Sequence, residues 1–209
     1  MNTIRAVVFD LDRTLVDVQS FTDYGAALAD VRRLVAAWPD VATPATGWDG
    51  ATRACMDVLV ALAGRPSWQP VSDAIERHEE AAISRSVAMP GLRAILDATA
   101  HLPRAVATLL PARAARAVLD RHDISVDALV PRRADLAPKP APDPCLAAAA
   151  ALGFGDALGS VLMVGDSTWD LACARAAGAA FVGLRNGGRS EFPPHVATVD
   201  NLGELAHRF

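Results

Sequence analysis

The stretch Ile4-Arg5-Ala6-Val7-Val8-Phe9-Asp10-Leu11-Asp12-Arg13-Thr14 passes from a short, nearly all-apolar segment straight into two aspartates. Its first six residues have the β-branched and aromatic composition of a strand buried on both faces of a parallel sheet. Asp10 and Asp12 therefore emerge together at the carboxyl end of that strand, the edge where such sheets bind ligands. Similar apolar runs recur at residues 105–109, 128–130, 161–164 and 180–184, and segments of helical length and composition lie between them at 92–99, 113–121, 144–152 and 169–177. Gly153 and Gly178 stand where C-terminal helix caps belong, and Asp143-Pro144 reads as an N-cap followed by proline at the first helical position. Strands alternating with helices predict an α/β fold, a parallel sheet with helices on both faces.

Residues 18–88 break this alternation, with helical patterns and no convincing strand, and read as an inserted helical subdomain. Ser20 and Asp23 resemble a capping box for a helix on which Phe21, Tyr24, Leu28, Val31, Leu34 and Val35 recur at helical spacing. A loop at 38–50 leads to a second helix reaching about Ala63, closed by Gly64, and a third, more acidic helix is expected within 72–85. Pro90-Gly91 marks the return to the main domain. The expected organisation is a core of 1–17 and 89–209 with a subdomain of 18–88.

The composition, 52% hydrophobic and 21% charged, is that of a globular chain rather than a disordered one. A net charge of -4 and no basic run interleaved with aromatics exclude a nucleic-acid footprint. The apolar stretch at the N-terminus is too short for a signal-peptide core, and no apolar span of about 18 residues follows, so a cytoplasmic protein without a membrane partner is expected. Cys55, Cys145 and Cys173 are odd in number and far apart, which fits buried thiols rather than a disulfide frame.

A carboxylate such as Asp10 can attack phosphorus in line, and a second acid such as Asp12 can protonate the leaving oxygen and later deprotonate water. The second acidic cluster, Gly165-Asp166-Ser167-Thr168-Trp169-Asp170, again follows a buried strand and opens a helix. Capping explains one of these residues easily, but not two strand ends with paired aspartates. All-oxygen ligands suit Mg²⁺, with Asp166 the better direct ligand and Asp170 behind it. Without a divalent cation, four aspartates would face a single lysine, and a phosphate dianion would hardly enter. Thr108 ends the second core strand beside the Leu109 amide, so a hydroxyl and an N–H are available to a phosphate oxygen. Lys139 is the only lysine among the 20 basic residues and sits in a run of prolines that restricts its backbone, which points to a compact charge in a tight site.

Taken in order, Asp10 to Thr14, Thr108, Lys139 and Gly165 to Asp170 resemble the four motifs of haloacid dehalogenase-like hydrolases, most of all the phosphoglycolate phosphatase and β-phosphoglucomutase branch. The resemblance spans the whole chain. It implies a Rossmann-like core with a helical cap inserted after the first motif, and Mg²⁺ held by Asp10, the main-chain carbonyl of Asp12, and Asp166. It also implies that Thr108 and Lys139 bind the phosphoryl group, with Lys139 steadying Asp10. Two departures stand out. Arg13 replaces a common Gly or Asn and is read as an outward salt bridge, the other reading being reach toward the site mouth. Leu109 replaces a common Asn or Ser, which keeps the amide but loses a substrate contact.

The resulting expectation is a Mg²⁺-dependent phosphatase acting on a small-molecule phosphate monoester, as a monomer or homodimer. A dehalogenase is disfavoured, because that branch lacks the acid at the position of Asp12 and needs no metal. A phosphomutase of the β-phosphoglucomutase type is disfavoured too, since the first cap helix has no histidine and the cap no lysine. A catalytically silent phospho-ligand-binding regulatory protein is the remaining alternative. Trp38, Trp48, Asp49 and Arg53 are expected to shape the leaving-group pocket, with Arg132 and Arg133 at its entrance.

Overall fold

A computed structural model describes residues 3–38, 50–188 and 192–209. The strands are β1 (Ala6–Phe9), β2 (Val16–Asp17), β3 (Val87–Ala88), β4 (Arg104–Pro111), β5 (Ala128–Arg132), β6 (Val161–Gly165), β7 (Ala180–Leu184) and β8 (Thr198–Val199). The helices are α1 (Tyr24–Ala36), α2 (Ala51–Ala61), α3 (Trp68–Ala82), α4 (Leu92–Ala98), α5 (Ala112–Arg121), α6 (Asp143–Ala151), α7 (Thr168–Ala177) and α8 (Leu202–Ala206). Six strands form one parallel sheet in the order β5-β4-β1-β6-β7-β8, as the alternating pattern predicts.

The period of two in β1 explains how the sheet is covered. Val7 and Phe9 join a core with Leu92 and Ile95 of α4, Val118 of α5 and Leu202 of α8. Ala6 and Val8 face the other way, onto Ala148 and Ala149 of α6. All four residues are fully buried, so β1 has no solvated face and carries no polar residue until Asp10. From β1 the sheet extends to β4 on one side and β6 on the other, which makes its carboxyl end the switch point where a crevice opens.

Helices α1, α2 and α3 pack around their own apolar cluster, in which Val31, Cys55, Leu59, Trp68, Val71 and Ile75 meet. They leave and rejoin the sheet through the antiparallel pair β2 and β3, in register Val16 with Ala88 and Asp17 with Val87. Two residues per strand are too few to produce a period, which is why β3 goes unseen at the end of residues 18–88 and β2 just before them. Three other expectations are corrected. The N-cap of α1 is Asp23, whose carboxylate accepts from the Ala26 amide at 2.9 Å, while Ser20 lies in a 3-10 turn and its own amide donates to Asp17. Helix α3 starts at Trp68 because Pro70 falls in its first turn, where no intrahelical N–H is needed. Asp143 is the first residue of α6 and not its cap, which is Pro142. Gly153 and Gly178 do adopt the left-handed conformation after α6 and α7, with φ of 79° and 81°.

No described helix is long and apolar enough to cross a membrane. All three cysteines are buried free thiols, as their number and spacing suggest.

Candidate active site

The carboxyl ends of β1, β4 and β6 deliver their side chains to a single cavity of about 430 Å³. Asp10 follows β1 and is 5% exposed. Its Oδ1 accepts from Lys139 Nζ at 2.6 Å and its Oδ2 from the Thr14 hydroxyl at 3.0 Å. Lys139 comes from the proline-rich loop between β5 and α6, and its ammonium also donates to Asp170 Oδ1 at 2.6 Å and the Ala107 carbonyl at 3.2 Å. All three donor hydrogens are thus committed to oxygens drawn from β1, β4 and α7. A planar guanidinium could not reproduce that geometry, which gives a physical reason for lysine at this one position in an arginine-rich chain.

Asp170 serves two purposes. Ser167 is the N-cap of α7 and Asp170 its third residue; the Ser167 amide and hydroxyl donate to Asp170 Oδ2 at 3.1 and 2.5 Å. The capping reading of this motif is therefore correct, and it fixes the carboxylate whose other oxygen meets Lys139. Gly165 is required by the same packing, since an added Cβ would lie 2.5 Å from the Asp170 Cβ and Cγ atoms. Gly165→Ala should accordingly displace Asp170 and lower kcat by about tenfold or more while the helices persist; an unchanged kcat alongside a native circular-dichroism spectrum would show that Asp170 is not held in place this way.

Ligand atoms of Asp10, Asp166 and Asp170 lie within 4.8 Å of one another. Asp166 is the least engaged of the three, its contact being an ion pair with Arg13 Nε at 3.5 Å. Burial, then the charges of Asp10 and Asp170, push its carboxyl well above the ordinary range against the pull of Arg13. Burial likewise raises Asp10 despite the opposing Lys139 charge. Although burial works against it, Lys139 is held protonated by the charges of Asp10 and Asp170. Together with Asp170, the carboxylates of Asp10 and Asp166 form a clustered all-oxygen donor set that suits a hard divalent cation.

Asp12 stands apart from that trio. Its Oδ1 accepts from the amides of Val18 and Gln19 at 2.9 and 3.0 Å. Burial is the largest influence and raises its carboxyl to about 7, the two amides pulling down and Asp10 and Asp17 pushing up. It is an acid poised to exchange a proton near neutrality. Thr108 is buried in the irregular stretch of the β4–β5 ladder between Ala107 and Pro111, and its Oγ1 accepts from the Leu110 amide at 3.1 Å, which leaves the hydroxyl hydrogen to donate. Thr108 and Leu109 both line the cavity.

Other expectations come out differently. Arg13, in the left-handed region at φ 60°, pairs with Asp166 at the cavity wall and not outward. That backbone costs a residue with a Cβ about 1–2 kcal/mol. Arg132 does not border the entrance; it is 5% exposed, and its guanidinium donates to Glu79 Oε1, Leu109 O, Ser72 O and Ser72 Oγ. Arg133 is exposed and pairs with Asp135. Trp38 packs on the helical cluster and is not among the cavity residues, whereas Arg53 lines the cavity and stacks 3.7 Å over the Trp169 ring. Trp48 and Asp49 lie outside the described residues. Tyr24 and Glu79 also line the cavity, and the sequence reading missed them as functional groups. The signal for Glu79 was present: Trp68, Val71, Ser72, Ile75 and Glu79 share one helical face, so an acid there is buried and must have partners.

A family model described as haloacid dehalogenase-like hydrolase matches residues 4–178. No curated protein matches the chain in sequence. Among solved structures, CbbY from Rhodobacter sphaeroides in complex with phosphate superposes with a TM-score of 0.70 at 19% identity, covering 97% of this chain and 96% of that one. A hydrolase from Pseudomonas syringae gives 0.69 at 21% identity, with 97% and 96% covered. L-2-haloacid dehalogenase from Xanthobacter autotrophicus gives 0.64 at 19% identity, with 98% of each chain covered.

Proposed function

Since this chain belongs to the haloacid dehalogenase-like hydrolases, we propose that it is a Mg²⁺-dependent phosphatase that hydrolyses a small-molecule phosphate monoester through an aspartyl phosphate on Asp10. The observation that carries this reading is the convergence of Asp10, Asp166 and Asp170 in one cavity, with the Lys139 ammonium bridging Asp10 and Asp170. Dehalogenases share the fold, so the fold alone does not discriminate; the second acid Asp12, raised to about 7, and the three-carboxylate cluster are what favour phosphoryl transfer.

In the proposed mechanism Asp10 Oδ attacks phosphorus in line while Asp12 gives its proton to the departing alcohol oxygen. Asp12 then takes a proton from water as that water attacks the acyl phosphate, and Asp10 is regenerated with release of inorganic phosphate. The Thr108 hydroxyl donates to a non-bridging oxygen, and Lys139 supplies positive charge beside the phosphoryl group while keeping the Asp10 carboxylate aimed. Asp10, Asp166 and the Asp12 main-chain carbonyl would hold Mg²⁺, with Asp170 fixed behind them by Ser167 and Lys139. When bound, the cation screens the repulsion between an attacking carboxylate and a phosphate dianion. Helices α1–α3 act as a cap, with core residues 1–17 and 89–209 carrying the chemistry.

Phosphate release from a panel of monoesters, measured with Mg²⁺ and with EDTA, tests the reading. Release with Mg²⁺ that falls at least a hundredfold in EDTA is expected; no release from any ester, or equal release under chelation, would contradict it. Mg²⁺ should also raise the melting temperature by binding the folded state alone, and Asp166→Asn should lose that rise. An Asp166→Asn protein that still responds to Mg²⁺ would remove Asp166 from the ligand set.

A further inference from the structure

Glu79 is the one acid of α3 that is completely buried, and its two oxygens are treated very differently. Oε1 accepts from Arg132 Nη1 at 2.8 Å and from the Tyr24 hydroxyl at 3.1 Å. Oε2 has no hydrogen-bond partner. A buried carboxylate oxygen without a donor is costly, so a donor brought to it would be rewarded. Glu79 cannot turn away to find one, because Arg132 is itself anchored to Ser72 and Leu109 on either side. Both Glu79 and Tyr24 line the cavity that contains Asp10, Asp12 and Lys139. The Tyr24 hydroxyl is raised first by burial and then by the charges of Glu79 and Asp12, which line the same cavity. Met56 and Leu109 make the adjoining wall apolar.

We propose that Glu79 Oε2 is a specificity group that accepts a hydrogen bond from a hydroxyl of the leaving alcohol, so that the substrate is the phosphate monoester of a polyol or sugar. This rests on the phosphatase reading. The fixed positive charge of Arg132 on the other oxygen of Glu79 makes the donor a neutral O–H, because a second cation such as a leaving-group ammonium would meet repulsion there. A site built around a buried acceptor discriminates strongly against an isostere that lacks the donor, since the acceptor is then stranded.

The test compares kcat/KM for glycerol 1-phosphate and erythritol 4-phosphate with that for n-propyl and n-butyl phosphate, using the full chain with Mg²⁺ and p-nitrophenyl phosphate as a reporter of chemistry. The wild-type protein should favour the polyol esters by about tenfold to a hundredfold. The double substitution Glu79→Met with Arg132→Met removes the ion pair without stranding either charge, and should bring the ratio to within about twofold of unity. Because the wild-type comparison needs no variant, the inference stands or falls even if that double variant does not fold. Turnover of p-nitrophenyl phosphate with no preference for polyol esters would overturn the inference and leave the phosphatase reading intact. A preference that survives the double substitution would overturn the assignment to Glu79. No phosphate from any ester would sink both.

Discussion

Asp10→Asn is expected to abolish turnover, by a factor of about 10⁴ or more, in a protein that still folds. The amide nitrogen cannot form the acyl phosphate, so the route through two easier displacements is lost rather than slowed. Stability should be retained or slightly higher. Lys139 keeps Asp170 as a partner, and one of three mutually repelling carboxylates has been made neutral. The measurement is single-turnover phosphate release alongside a thermal melt. Wild-type rates from the Asn variant would exclude Asp10 as the nucleophile, whereas a collapsed melt would show that it holds the fold.

Lys139→Met should be damaging in both respects. The ammonium is 2% exposed and spans Asp10, Asp170 and the Ala107 carbonyl, so its removal leaves buried carboxylates uncompensated, at a cost of about 3–5 kcal/mol. Turnover should fall by at least a thousandfold, because the phosphoryl charge loses its nearest neutralising group. Lys139→Arg should fare little better, since the larger planar group does not fit three convergent oxygens. The pH dependence has a definite sign. Burial already raises Asp10 from 3.8 to about 6 in the presence of Lys139, and a carboxyl raised on folding binds protons that the unfolded chain has released. Metal-free stability should therefore fall as pH rises through that interval, and more steeply in Lys139→Met. Melts of both proteins between about pH 3.5 and 7 would check this; a flat or opposite profile would mean the carboxylates are not the source of strain.

Much of the fold was legible because its signals are local. Each strand that carries an acid is a short apolar run, each run ends on the residue that matters, and the alternation with helices leaves few topologies open. Lys139 was legible for a different reason, as the single lysine of an arginine-rich chain. What remained hidden is long-range or brief. The β2–β3 pair has two residues in each strand, and β8 has two with no period to detect. Ser20 and Asp23 mimic a capping box, and nothing local distinguishes that from an N-cap at Asp23. The Tyr24–Glu79–Arg132 cluster joins residues more than 50 positions apart, and Arg132 read as solvated because arginine pairs usually are. Burial, which only the packing of α3 against β4 and β5 reveals, turns it into an interior anchor.

The central claim is a covalent phosphoryl group on Asp10, and borohydride trapping tests it most directly. Enzyme quenched during turnover and reduced with borohydride should yield homoserine at position 10 in peptide mass spectra, only when substrate and Mg²⁺ were both present. Active enzyme whose Asp10 peptide stays unmodified under those conditions, or homoserine found at a different aspartate, would contradict the account.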